Sequence, residues 1–311
     1  MIPSLKGSEG MVGVYTPKRN RFWDTLTNEK YFKWTLLIPL ILVLLLFLFY
    51  PLIYVLFYSF HEHTLLKPAE FIGLANFYNL LHDEVLWTAL GRTGIILSLS
   101  IAVELLLGMG IALLLNRGLR GEGIVRSLCL LPLMIMPLAM SMIWNFILQY
   151  DFGAANQILV ALGGNKISWF APGHALYTLC FINIWQWFPF SVFVLLAGLK
   201  SLPKEAFEAA KVDGASAWTV FRKITLPMLS PLIVIIVLLR TMWLIRFFDP
   251  LYGTTRGGAN TEVLDWMMYR TTFVFFDIGE GSALALISLF FTVIVCAILF
   301  RQLMKALGVI K

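Results

Sequence analysis

Charge is scarce in this sequence. Asp, Glu, Lys and Arg supply 14% of 311 residues, where a soluble domain carries about a quarter. That shortage argues against an ordinary water-soluble enzyme or binding module. Cysteine is rarer still. Cys129, Cys180 and Cys296 fall in three separate apolar runs, a spacing that excludes a clustered disulfide framework and a C-x-x-C zinc site, and each reads as a small core hydrophobe. Of the four histidines, His61 and His63 form "HEH" with no further cluster nearby, so they read as a solvated loop and no metal site is expected. The sequence also has no G-x-x-x-x-G-K-[ST], H-E-x-x-H, G-x-S-x-G or G-x-G-x-x-G. Nucleotide chemistry and the common hydrolytic constellations therefore have no foothold here, and the chain is not read as an enzyme. Work against a gradient would draw its energy from a partner or from an ion.

What is present is apolar: 59% of residues are hydrophobic and the mean hydropathy is +0.81. A hydrocarbon core of about 30 Å needs about 20 apolar residues in a helix. Six runs meet that length, roughly 34–60, 93–116, 127–148, 175–199, 229–249 and 282–303, so an all-α, multi-pass membrane protein is expected. The first 33 residues are polar and carry six Lys/Arg, which does not suit a cleavable signal peptide. Laid over these spans, seventeen of the 24 Lys/Arg fall on the side of the termini, five on the opposite side and two inside a span. The positive-inside bias then puts both termini in the cytoplasm. The net charge of +6 is accounted for as a topology signal, which removes support for nucleic-acid binding.

The spans are interrupted. Pro39, Pro51, Pro132, Pro137 and Pro189 free backbone groups that neighbouring helices or a watery cavity must satisfy. Gly108 and Ala112 in "LLGMGIALLL" have the small-xxx-small spacing that lets a second helix approach closely. Such breaks suit a transport bundle better than a simple anchor.

Between spans four and five lies a polar interval, 201–231, "SLPKEAFEAAKVDGASAWTVFRKITLPMLSP". Ser201 is a candidate N-cap, Pro203 fits the first turn and Glu205 suits the helix dipole. Asp213-Gly214 stops that helix, with Gly supplying a left-handed turn. A second helix follows from about Ser216 to Ile224, and Pro227 and Pro231 are expected to end it and open the fifth span. Phe207, Ala210 and Lys211 share a face, and Ala209 and Ala210 keep a flank thin. That shape fits docking into another protein, or a hairpin that ties two spans together.

This interval resembles the EAA motif of the permease subunits of ATP-binding-cassette importers, through Glu208, Ala209, Ala210, Asp213, Gly214, Ala215, Phe221, Ile224, Leu226, Pro227 and Pro231. With "YPLIYVLFYSF", "ELLLGMGIALLLNR" and "FDPLYGTTRGGANTEVL", it is most similar to the carbohydrate-uptake branch, the maltose, trehalose and glycerol-phosphate permeases. The resemblance covers nearly everything from residue 34 onward. Ala259 departs from it, since relatives commonly carry proline after the Gly-Gly pair.

The resemblance implies a type I importer transmembrane domain at 34–311 behind a cytoplasmic N-terminal segment, 1–33, in the bacterial inner membrane. It implies that Glu208, Ala209, Ala210, Asp213, Gly214 and Ala215 form a coupling helix seated on a cytoplasmic ATPase. The implied partners are a second homologous permease, two ATP-binding subunits that carry ATP and Mg, and an extracellular solute-binding protein. No cofactor is expected in this chain. The rivals are an ion-coupled secondary transporter, which would favour inverted halves not seen here, and a non-transporting membrane subunit.

Charges inside the membrane mark the candidate cargo path. Arg240 falls near mid-membrane in "LLRTMWLIRFFDPLY"; Arg246 lies further out and can pair with Asp249, three residues on. Arg240 has no acid close in sequence, and Glu104 in the second span is a possible partner. These residues are either interhelix salt bridges or a polar path. Trp144, Asn145, Asn183, Trp185, Gln186 and Trp187 could join that path by stacking and hydrogen bonding with a sugar, although "NIWQW" also has the look of an interfacial aromatic belt. The two arginines would also suit a phosphorylated, sulfonated or carboxylated sugar.

Overall fold

A computed structural model describes residues 29–118 and 120–307; most of the expected N-terminal segment lies outside the described residues. The chain divides into two compact units, Met1–Tyr54 and Val55–Lys311. Among the described residues, five helices are long and apolar enough to cross a membrane, namely Leu37–Tyr58, Glu84–Leu115, Ala175–Ser201, Ala217–Leu244 and Ile278–Lys305. A bent pair, Glu122–Met134 with Pro137–Ile147, makes up a sixth crossing if its two parts are counted as one span.

The expected third span, 127–148, is therefore not one rod: its halves meet at 99°. Two prolines explain the break. Pro132 stands at the start of a 3-10 turn, Leu131–Met134, after which Ile135 and Met136 leave the helical region with ψ of 133° and 136°. The residue before a proline is pushed out of the α region, and Pro137 then starts the second half, where its missing N–H is no loss. Ile135 presents a carbonyl at the break, and Gln186 Nε2 donates to it at 2.9 Å.

The fifth span also differs from expectation. Pro227 and Pro231 do not terminate the short helix before it; one continuous helix runs through both from Ala217 to Leu244. It does so by widening. Phe221–Thr225 is a π turn, in which the Leu226 N–H bonds to the Phe221 carbonyl, two residues ahead of Pro227. A proline ring clashes with the carbonyl four residues back, and a wider turn relieves that crowding. Pro51 is preceded by the same device, a π turn at Leu45–Phe49.

The second span starts nine residues earlier than expected, at Glu84, because Asp83 caps it by accepting a hydrogen bond from Val85 N at 2.8 Å. At 1.5 Å per residue its 32 residues reach about 48 Å, well past the hydrocarbon core. It packs closely against the fourth span. A Cβ on Gly108 would lie 2.6 Å from Ser191 Cβ, and Ala112 packs with Val192, Leu195, Leu229 and Ile236. In lipid there is little hydrophobic drive between helices, so such small-residue contact is what holds them together.

One short hairpin interrupts the helical architecture. β1 (His61–Thr64) pairs antiparallel with β2 (Lys67–Phe71). His61 Nδ1 bonds the Phe57 carbonyl at 2.7 Å and its ring stacks on Phe57; the His63 ring stacks on Tyr58. Both histidines thus make local contacts within the hairpin region.

Candidate functional site

Charge at membrane depth is expensive unless it is paired, and the pairing found here organises the bundle. Arg240, on the fifth span, is 1% exposed, and Glu104, on the second, is fully buried. Arg240 Nε donates to Glu104 Oε2 at 2.6 Å, and Nη2 donates to Oε1 at 2.7 Å. This two-pronged arrangement is the strongest form of a carboxylate–guanidinium contact. Nη2 also donates to Asn183 Oδ1 on the fourth span at 2.7 Å. The guanidinium lies over Trp187, 4.7 Å from the ring centre, and Trp187 packs on Trp243 at 4.9 Å. Three spans are joined by one cation.

Arg240, Asn183 and Trp187 also line a cavity of about 220 Å³, together with Pro137, Trp243 and Arg246. Asp249 lines it too. The expected Arg246–Asp249 ion pair is not formed among the described residues. The reason is local: the helix stops at Leu244 ahead of Pro250, and Asp249 begins a separate short helix, Asp249–Tyr252. An i,i+3 contact requires one continuous helix. Arg246 instead shares its surroundings with Asp249 and Asp265, and burial pushes the Asp265 carboxyl up to about 6, with Arg246 opposing and Asp249 adding.

The remaining candidates separate. Gln186 holds the break in the third span, as above. Trp144 and Trp185 meet edge to face at 5.5 Å and pack with Met140, Ile182 and Trp169; Trp144 also borders a second cavity of about 540 Å³ with His174, Tyr177 and Phe181. Asn145 Nδ2 donates to the Gly253 carbonyl at 3.2 Å and lines a third cavity of about 560 Å³ with Gln149, Tyr252 and Arg256. Trp243 and Asp265 went unnoticed in the sequence. Trp243 stands three residues after Arg240, one turn along the same helix, which is the signal that could have found it.

The second candidate region is the 201–231 interval. Its first helix is Lys204–Val212, with Pro203 at the N-cap. Ser201 is not the cap: it is the last residue of the fourth span, and its hydroxyl donates back to the Gly198 carbonyl at 2.8 Å. The other end follows expectation. Asp213 is the C-cap and Gly214 takes φ of +70°. Gly214 N bonds the Lys211 carbonyl at 3.2 Å, and Ala215 N bonds the Ala210 carbonyl at 2.9 Å. These two bonds are the Schellman arrangement, in which a left-handed residue satisfies the last carbonyls of a helix. Ala210 is 7% exposed, whereas Glu208 and Ala209 are exposed. Ser216 immediately caps the next helix, its Oγ accepting from Thr219 N at 3.2 Å. The motif's small and left-handed positions are thus explained by one turn joining two helices. A cavity of about 540 Å³ beneath it is lined by Asn116, Lys200, Lys204, Phe207, Glu208 and Lys211.

Comparison with known proteins bears on both regions. The Agrobacterium fabrum "sulfoquinovosyl glycerol transport system permease protein SmoG" is 34% identical over 272 residues, covering 86% of this chain and 88% of that protein. The Thermococcus litoralis "trehalose/maltose transport system permease protein MalF" is 32% identical over 260 residues, covering 81% and 87%. A solved bacterial ABC transporter involved in import of the acidic polysaccharide alginate aligns at a TM-score of 0.77 and 21% identity, covering 92% of this chain and 99% of that one, and so supports the fold. The family described as "binding-protein-dependent transport system inner membrane component" matches residues 104–307, from the buried Glu104 to the end of the last span. With that match over most of the chain, it belongs to the family of inner-membrane components of binding-protein-dependent transport systems.

Proposed function

We propose that this chain is the permease subunit of an ATP-driven importer that carries a sugar or sugar derivative across the bacterial cytoplasmic membrane. The observation that carries the reading is the 204–216 segment, a helix presented at a fixed angle by a Schellman turn that opens directly into the continuous 217–244 helix of the fifth span. In this proposal both termini and that turn are cytoplasmic, and Glu208, Ala209, Ala210, Asp213, Gly214 and Ala215 seat in one of two ATP-binding subunits. ATP and Mg belong to those subunits; this chain hydrolyses nothing. A second, homologous permease completes the path, and an extracellular solute-binding protein delivers the cargo. Alternating access follows mechanically. Closure of the ATPases displaces the 204–212 helix, and the continuous 217–244 helix transmits that displacement to Arg240 and the cavity around it.

Cargo contact is assigned to the cavity bounded by Asn183, Trp187, Trp243 and Arg246, with Asp249 at its edge. Indole faces stack on sugar C–H faces and the amide and guanidinium groups bond hydroxyls. Trp144 and Asn145 line the second and third cavities and Trp185 packs on Trp144, so none of the three lines this one. The relatives named for trehalose, maltose and sulfoquinovosyl glycerol support the sugar class. An ATPase should co-purify with the chain and be lost when residues 205–216 are deleted. Retention of the ATPase by that deletion, at normal membrane levels, would refute the assignment of the turn.

A further inference from the structure

We propose that Glu104 sets the charge preference of the cargo cavity by neutralising Arg240, so that the cavity takes an uncharged polyhydroxyl ligand and rejects an anionic one. The inference rests on the cavity assignment above and deepens it. Arginine is the residue usually expected to attract phosphate, sulfonate or carboxylate through bidentate bonds, and two arginines line this space. Arg240 is not a free cation, whereas Arg246 forms no ion pair among the described residues and is balanced only by the field of nearby carboxylates. Arg240 Nε and Nη2 are both engaged by Glu104, and Nη2 is further engaged by Asn183. The face of that guanidinium is occupied by Trp187. Arg246 is the other cation, and two carboxylates, Asp249 and Asp265, lie within electrostatic reach of the same ground.

The charged and polar groups converging here come from four elements. The second span gives Glu104, the fourth gives Asn183, the fifth gives Arg240, and the segment after it gives Arg246, Asp249 and Asp265. Taken together, two cations face three carboxylates. To gain the bonds of Arg240, an incoming anion would have to displace a buried carboxylate from a two-pronged contact at low dielectric, and at Arg246 it would meet the repulsion of Asp249 and Asp265. A neutral sugar need displace nothing: Trp187 and Trp243 offer faces, and Asn183 and Arg246 offer polar edges. Glu104 does not line the cavity and acts through Arg240, so its role is positioning and charge compensation.

The test uses the intact importer, with its partner chains, in lipid nanodiscs. Glucose and glucuronate, which differ by one carboxylate on the same ring, are titrated by saturation-transfer NMR and the ratio of their Kd values is read. The wild type should favour glucose. Glu104→Gln should shift the ratio toward glucuronate by about tenfold to a hundredfold, the worth of one hydrogen bond to a charged group. Glu104→Asp keeps the carboxylate and should keep the wild-type preference. Should Glu104→Gln fail to assemble, the double variant Glu104→Gln/Arg240→Gln decides: with both charges gone it should still favour glucose. A loss of packing alone would not invert a charge preference. An unchanged ratio in Glu104→Gln, or a preference for glucuronate in the wild type or the double variant, overturns the inference while leaving the sugar reading intact. Binding of neither sugar to the wild type would overturn both.

Discussion

Gly214 offers the cleanest perturbation, because its surroundings remove every effect but one. A Cβ built on it meets nothing within 4 Å, so a larger side chain creates no clash with a neighbouring residue. What it meets is the backbone: φ is +70°, where an L-residue pays roughly 1–2 kcal/mol for crowding between Cβ and the following carbonyl, and a β-branched residue suffers most. Gly214→Val is therefore expected to destabilise the Schellman turn by about 2 kcal/mol, which moves the population of that turn by a factor of about 30. The nine-residue helix ahead of it is too short to persist by itself, so its angle loosens when the turn does. Gly214→Asn is the control, since Asn tolerates the left-handed region, and should change little. Reconstituted importer would be assayed for cargo transported per ATP hydrolysed, with membrane content measured alongside. The Val variant should reach the membrane and lose coupling; the Asn variant should retain it. Wild-type coupling in Gly214→Val, or equal damage in Gly214→Asn, would refute the reasoning.

How much of this was legible beforehand depended on the kind of signal. Length and apolarity placed the spans, because every backbone group in lipid must be satisfied within its own helix, and that constraint acts locally. The Gly214 stop was legible for the same reason: one residue's backbone freedom decides it. Gly108 and Ala112 announced a close helix contact by size alone, although not that Ser191 would be the partner. What escaped was of two kinds: local changes of helix winding or helix end, and whatever two distant segments decide together. Pro227 alone reads as a helix end, and only the π turn before it lets the helix continue. Pairing of Arg246 with Asp249 looked sound on a helical template, which failed because Pro250 ends the template first. The Glu104–Arg240 contact spans 136 residues. A lone acid in one apolar run and a lone base in another suggested it, but sequence spacing supplies no distance between helices. Gln186 shows the same limit from the other side: it looked like a cargo ligand, and its amide is committed to the Ile135 carbonyl.

Further expectations rest on single observed contacts. Arg240→Met leaves Glu104 buried without its partner and should destabilise the importer by about 3–5 kcal/mol, whereas Glu104→Leu/Arg240→Met should be near neutral; thermal unfolding in detergent separates the two, and equal loss in both would show that the pair is not the cause. Gly108→Val should weaken packing of the second and fourth spans by about 1–3 kcal/mol, while Gly110→Ala, where a Cβ meets nothing within 4 Å, should be silent in the same assay. Asp265 has its carboxyl raised from 3.8 to about 6. The folded protein therefore binds that proton more tightly than the unfolded chain, so stability falls as pH rises from about 4 through 6, by at most about 3 kcal/mol. Asp265→Asn should abolish that slope and be the more stable protein at pH 7, and a slope that survives the substitution would assign it elsewhere. Ala259 sits at φ of +53° between Gly258 and Asn260, itself at +61°. Proline is locked near −65°, so this loop has a shape that a proline at 259 could not adopt. Ala259→Gly should relieve about 1 kcal/mol of backbone crowding and raise Tm, whereas Ala259→Pro should disrupt the loop that carries Thr261 and Glu262. The disruption would be read as lost contact between Glu262 and its neighbours, because Arg92 Nη1 donates to the Glu262 carbonyl at 3.3 Å and Arg270 pairs with its carboxylate at 2.8 Å. Two cations tied to one residue make the loop's shape a condition for packing the second span against the segment that precedes the sixth, so the proline variant should lose Tm even with every other side chain in place.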